Sequence, residues 1–100
     1  MGRSDVAYLI GVVYTKDALN QHIPTEVRRE VFCEVEGIRQ SEWFSAGQAG
    51  LKPQLMLKVF TDDYNGEDQV EVDGVRYGIY RTYPAKHSWT ELYLEKKAGV

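Results

Sequence analysis

Apolar and polar residues alternate over several stretches of this 100-residue chain with the period of two that places one face of a β-strand inward and the other outward. Residues 7–14, "AYLIGVVY", are β-branched and aromatic throughout and read as a first strand. From Arg28 to Ile38 a second strand sets Val31, Cys33 and Val35 on one face and Phe32, Glu34 and Glu36 on the other. A third, in which Pro53 marks the beginning or an edge, aligns Leu55, Leu57 and Val59 against an outward Lys58. In "VEVDGVRYGI" two such runs, Val70 and Val72, then Val75, Tyr77 and Ile79, flank Asp73-Gly74. That dipeptide supplies the two positive-φ positions of a type I′ turn and predicts a tight hairpin. A last strand runs from Trp89 to about Lys96, with Leu92 and Leu94 inward and Glu91, Tyr93 and Glu95 outward.

Between these runs the pattern changes. "SEWFSAGQAG" predicts a short helix of about two turns, with Ser41 as N-cap, Glu42 near the positive end of the dipole, and Gly47 and Gly50 as stop signals. The polar segment 15–26, "TKDALNQHIPTE", carries Pro24 and shows no convincing period, so it reads as a long loop. "TDDYNGED" is an acidic turn region. Together these elements predict one all-β domain over residues 1–100. It is a small six-stranded barrel or roll with one short helix and two long loops, residues 15–26 and the helix-containing 39–53. Closure is the expected form because it removes free strand edges.

Composition narrows the partners. The chain carries 12 basic and 15 acidic residues, a net charge of −3, so no global positive field is available to grip a phosphate backbone. Aromatic residues make up 12% with seven tyrosines, a bias that suits half-buried sheets and contact surfaces. Cys33 is the only cysteine, which excludes an intrachain disulfide and fits a reducing compartment. The apolar run 6–14 is too short to span a bilayer, and the expectation is a soluble intracellular protein with no membrane partner.

Candidate chemistry is sparse. Setting Gly66 at the sixth position of a calcium loop puts Asp63 and Asn65 at the third and fifth, but leaves Thr61 at the first and Val72 at the twelfth, where a bidentate Glu is required. His22 and His87, the only histidines, lie in predicted loops and with one Cys cannot complete a zinc set. His87-Ser88 lacks a strand-elbow-helix context, and "AGQAGLK" lacks the spacing of a phosphate loop. Glu34 and Glu36 share an outward strand face, where solvated charges sit. Cys33 reads as a small buried hydrophobe. No cofactor, no metal and no enzymatic activity are expected. Trp43 and Phe44 are adjacent on a helix and point about 100° apart, so they cannot share one face. A core role and a partner-contact role both stand for this pair.

The order "REVFCEVEGIRQSEWFSAGQAGLKPQLMLKVFTDDY", then "VEVDGVRYGIYRTY", then "TELYLEKK", over residues 5–97, resembles the head closure (head-to-tail connector, or stopper) proteins of long-tailed bacteriophages and prophages. The resemblance implies a small β-barrel in a ring, typically dodecameric, beneath the portal and its adaptor. Such a ring retains packaged DNA and provides the platform for the tail and its completion protein. It further implies assembly in the host cytoplasm, residence in the virion neck, and DNA only as the passing genome. Long loops contact neighbours in such rings, which makes His22, Ile23, Pro24, Trp43, Phe44 and Gln48 interface candidates. A channel that DNA must traverse should not grip phosphate, so Glu42, Asp62, Asp63, Glu67 and Asp68 are channel-lining candidates. The alternatives are another neck or tail-completion protein and, from a different class, an oligonucleotide-binding β-barrel with aromatic platforms in a basic groove.

Overall fold

The computed structural model of the protein describes residues 3–85 and 88–96. Six strands, β1 (Arg3–Lys16), β2 (His22–Glu36), β3 (Pro53–Phe60), β4 (Gln69–Val72), β5 (Val75–Pro84) and β6 (Trp89–Lys96), close in the order β1-β2-β3-β6-β5-β4. Every neighbouring pair is antiparallel, so the small all-β barrel expected from the strand pattern is what forms. One helix, α1 (Gln40–Gln48), lies in the β2–β3 connection.

The barrel interior follows from the alternation. Ala7 and Leu9, Val31 and Cys33, Leu57 and Val59, Val70 and Val72, and Leu92 and Leu94 form one buried cluster, edged by Val35, Leu55, Tyr64, Tyr77 and Ile79. The β4–β5 turn has Asp73 at φ 51° and Gly74 at φ 80°, the two positive values a type I′ turn needs. Val75, paired with buried Val72 beside the turn, is itself exposed.

The outer wall departs from a simple inward-outward rule. Glu91 and Tyr93, expected to face solvent, are buried. Tyr93 stands opposite Met56 of β3, which is also buried, on the barrel's outer surface. Beside it on β5, Arg81 stacks over the Tyr93 ring at 4.0 Å, and the Tyr93 hydroxyl donates to Glu91 Oε1 at 2.6 Å. Ala46 is the buried residue of α1, and Glu42 ties the helix to β5. The helix therefore gives this wall a second layer, which a period-two reading of β6 alone does not reveal.

The helix starts at Gln40 with Arg39 as N-cap, not at Ser41, and no side chain caps it. Its entry is set by the tertiary tie at Glu42 in the first turn. Gly47 lies inside the helix, whereas Gly50, at φ 81°, ends it. Leu51 N–H reaches Ala46 O at 2.9 Å and Gly50 N–H reaches Gly47 O at 3.0 Å, the paired bonds of a Schellman cap.

The largest correction concerns residues 15–26, which are not a loop. β1 and β2 pair without interruption from Arg3↔Val35 to Lys16↔His22. Beyond Ile10, β1 pairs only with β2, and β2 from His22 to Phe32 pairs only with β1. The result is a two-stranded arm that leaves the barrel and stretches the molecule to 51 × 31 × 23 Å. Pro24 is compatible with it because this part of β2 is an edge strand. Residues 17–21 alone form the turn: Asp17 Oδ1 accepts from Leu19 N–H and Gln21 N–H, both at 2.9 Å, and Asn20 takes φ 66°.

Leu57 has no solvent exposure and lies in the cluster shared by the strands. Leu57→Ala is expected to lower the unfolding free energy by about 2–5 kcal/mol, read as a reduced urea midpoint with an unchanged slope.

Candidate functional site

The arm inherits its chemistry from the barrel. Residues paired across an antiparallel ladder share a face, and Leu9 faces the core, so the same face continues as Gly11 with Val27, Val13 with Thr25, and Thr15 with Ile23. That face carries no charge. The opposite face holds Tyr14 with Pro24, Val12 with Glu26, Lys16 with His22 and, nearer the barrel, Arg28. Charges there are largely closed on the barrel: Arg28 pairs with Glu71 at 2.8 Å and Arg76 with Glu26 at 2.8 Å. Val13, Ile23 and Val27 are all exposed, although they continue the core-facing row.

At the root of the arm the β3–β4 connection approaches the uncharged face. Arg29 donates to Glu67 Oε2 at 2.7 Å and also to the carbonyl oxygen of Asp63, bridging arm and loop. Glu67 Oε1 accepts from Asn65 N–H at 2.8 Å, and the Tyr64 hydroxyl donates to the Glu67 carbonyl at 2.7 Å. Burial pushes the Glu67 carboxyl up, but Arg29 and the backbone donors outweigh it and hold the group below the usual carboxylate range. Burial, then the charges of Glu67 and Asp68, raises the Tyr64 hydroxyl. A Cβ on Gly11 would meet the Glu67 side chain at 3.2 Å, so this approach favours glycine. Arm and loop enclose an open groove of about 540 Å³, walled by Gly11, Val13 and Val27 and rimmed by Asn65, Gly66, Glu67 and Asp68.

The second exposed surface is on α1. Trp43 and Phe44 are each 56% exposed and pack edge-to-face with centroids 5.7 Å apart. Neither enters the core, because the helix rests on small Ala46. Glu42, in the same turn, accepts from the Tyr80 hydroxyl at 2.8 Å and pairs with the Arg81 guanidinium. Burial raises the Glu42 carboxyl, yet the bonds from Arg81 and Tyr80 and the Arg81 charge bring it below its ordinary value. Burial and the Glu42 bond and charge raise the Tyr80 hydroxyl far above its usual range. Further along this wall, Arg39, Arg81, Tyr83, Glu91 and Tyr93 line an open hollow of about 520 Å³. Its buried carboxylate already accepts from Tyr93, and Arg81 is already paired.

The residues singled out in the sequence thus fall into three places. His22, Ile23 and Pro24 lie near the tip of the arm, and Trp43, Phe44 and exposed Gln48 on α1. Of the acidic candidates, Glu42 is locked to β5, while Asp62, Asp63, Glu67 and Asp68 share the β3–β4 connection, with Asp62 and Asp68 exposed. Thr61, the would-be first calcium ligand, has its hydroxyl within 2.9 Å of Thr90 Oγ1 on β6. Among the described residues no group of three or more His, Cys, Asp or Glu is placed to hold a metal ion, and no helix is long and apolar enough to cross a membrane. His87 lies outside the described residues. Missed in the sequence were Gly11, Val13, Val27 and Arg29 as one surface; the signal was Ile23, Thr25 and Val27 alternating with His22, Pro24 and Glu26. No protein-family model and no curated protein matches the chain.

Because the Glu42 carboxyl sits lower in the folded than in the unfolded chain, its contribution is full above its ordinary value of 4.5 and disappears as pH falls through the lowered one. Glu42→Gln is expected to destabilise the protein at neutral pH by about 1–2 kcal/mol, allowing for the partly exposed Arg81, and to flatten the acid limb of stability against pH. Urea unfolding from pH 7 down to about 3 checks both.

Proposed function

We propose that this chain is a structural subunit of a bacteriophage or prophage head-to-tail connector, of the head closure type. It docks as a ring beneath the portal and adaptor, retains packaged DNA and receives the tail. The observation that carries the reading is the arm: a long hairpin, projecting from a closed barrel, with an uncharged, β-branched face that, beyond its root, nothing in the described chain covers. A two-stranded ribbon is marginal by itself in water and gains stability when that face is packed. Ring subunits need heterologous surfaces, one complementary to another part of the next copy, and the arm, the groove at its root and the Trp43–Phe44 pair supply candidates.

The electrostatics agree with a channel that lets DNA slide. Arg28, Arg29, Lys58, Arg76 and Arg81 are all committed to carboxylates within the chain. Guanidinium groups so neutralised offer little to phosphate. Asp62 and Asp68, exposed and with no ion-pair partner among the described residues, are the lumen candidates this leaves, and Glu42 and Glu67 act as fasteners instead. The same pairing weighs against an oligonucleotide-binding barrel, which needs a continuous positive groove.

Gly11 and Val27 are paired, so residues 12–26 can be replaced by an Asn-Gly turn that closes the hairpin at the barrel. The shortened protein is expected to fold, as judged by an unchanged cooperative transition, while heads assembled with it lose DNA and remain tailless in electron micrographs. Tailed, full particles from this variant would refute the reading. In filter binding at low and moderate salt the intact chain is expected to retain no duplex or single-stranded DNA; persistent, strongly salt-dependent retention would favour the oligonucleotide-binding barrel.

A further inference from the structure

The arm ends in an apolar side chain with nothing beneath it. Leu19, at the turn, is 77% exposed, the highest value among the large hydrophobic side chains of the described residues. The turn orients it, since Asp17 Oδ1 accepts from the Leu19 and Gln21 N–H groups. Beside it at the end of β1 is Lys16, with no ion-pair partner among the described residues. At the other end of the same arm is the groove: an apolar wall of Gly11, Val13 and Val27, Arg29 with its charge already paired to Glu67, and a rim on which Asp68 is exposed and has no ion-pair partner among the described residues. Tip and root therefore carry matching halves of one contact, an apolar knob beside a cation and an apolar hollow beside an anion.

These halves cannot meet within one molecule. From Gly11 to Lys16 the extended arm spans about 17 Å, and the paired strands prevent it from folding back. They can meet between two molecules. We infer that the arm tip of one copy seats in the arm-root groove of the next, Leu19 entering between Val13, Val27 and the backbone of Gly11, with Lys16 facing the neighbour's Asp68. The occupant is a second copy of this chain, on the argument of charge complementarity joined to apolar fit. Seated so, Val13 and Val27 of each arm lie against the neighbour's tip instead of water. Because knob and hollow are different patches, the contact is head-to-tail and propagates until it closes. The inference rests on the ring reading above and names the surfaces that would join neighbouring subunits.

The test is a charge swap read by sedimentation equilibrium at concentrations up to about 1 mM, where even weak specific contacts are half populated. Lys16→Glu and Asp68→Lys should each weaken self-association about tenfold, and the double swap should recover most of it, with weaker association at high salt in the wild type. Leu19→Asp should weaken it further with an unchanged circular dichroism spectrum. Mixing Leu19→Cys with Val27→Cys under mild oxidation should give a disulfide-linked dimer that neither variant nor the wild type, with its buried Cys33, gives alone. A wild type that stays monomeric at about 1 mM overturns the contact and leaves the groove to a partner of different sequence. Self-association indifferent to Lys16→Glu, Asp68→Lys, Leu19→Asp and the double swap also overturns it, while leaving the ring itself intact. Loss of the ring reading would register separately, as full, tailed particles assembled without the arm.

Discussion

One constraint organises this molecule: side chains on a strand alternate faces with a period of two, and β1 and β2 keep a single register along their whole paired length. The row that is core at Ala7 and Leu9 must therefore continue, two residues at a time, as Gly11, Val13 and Thr15 once the strand has left the barrel. A one-residue slip would send the row to the other face and place charged residues in the core, so register in the barrel dictates chemistry on the arm. The exposed uncharged face is thus a direct extension of the hydrophobic core beyond the part of the fold that can cover it. Natural sheets usually blunt such edges with charge or cover them. Here the charges that could serve, Arg28 and Glu26, are drawn to the opposite face and paired with Glu71 and Arg76.

The barrel was readable from sequence wherever one face of a strand is core and the other solvent. Val31, Cys33 and Val35, then Leu55, Leu57 and Val59, then Leu92 and Leu94 carry that signal, and Asp73-Gly74 carries turn chemistry with a single structural solution. The arm was not readable by the same rule, because neither of its faces meets the core. Thr15 and Thr25 take positions where Val would have revealed the alternation, and Pro24 reads as a break unless the strand is known to be an edge. The second layer over the outer wall was hidden for a complementary reason. Glu91 and Tyr93 are polar enough to suggest solvent, yet they satisfy each other and are roofed by Arg81, an arrangement visible only once β5 and α1 are in place.

Electrostatics here acts as fastening. Glu42 holds α1 to β5, and Arg29 holds the β3–β4 connection to the arm root through Glu67 and the Asp63 carbonyl. In each case a carboxylate sits in a partly desolvated place and is kept ionised by a guanidinium and additional donors, the geometry in which such a pair is more than a surface decoration. The consequence for recognition is spatial. Trp43 and Phe44 are adjacent to one fastener, and the groove is built on the other, so both exposed apolar surfaces stand on anchored backbone. A partner binding them would lose less conformational entropy than one binding free loops.

Past Glu26, which Arg76 grips from the barrel, the arm has no comparable fastener among the described residues. From Val13 to the turn it is held by the cross-strand ladder and the Asp17 turn, with both edges free and both faces exposed. Such a ribbon opens at low free energy, unlike the barrel strands, each of which has two neighbours and an apolar face. The distal arm should therefore exchange its amide protons rapidly in the free chain and slowly once its uncharged face is covered. Placing a marginal ribbon between two rigid surfaces also makes association strongly dependent on concentration and context, since each contact must order what it binds. Such a ribbon keeps its apolar face out of water only while a partner surface holds it in place.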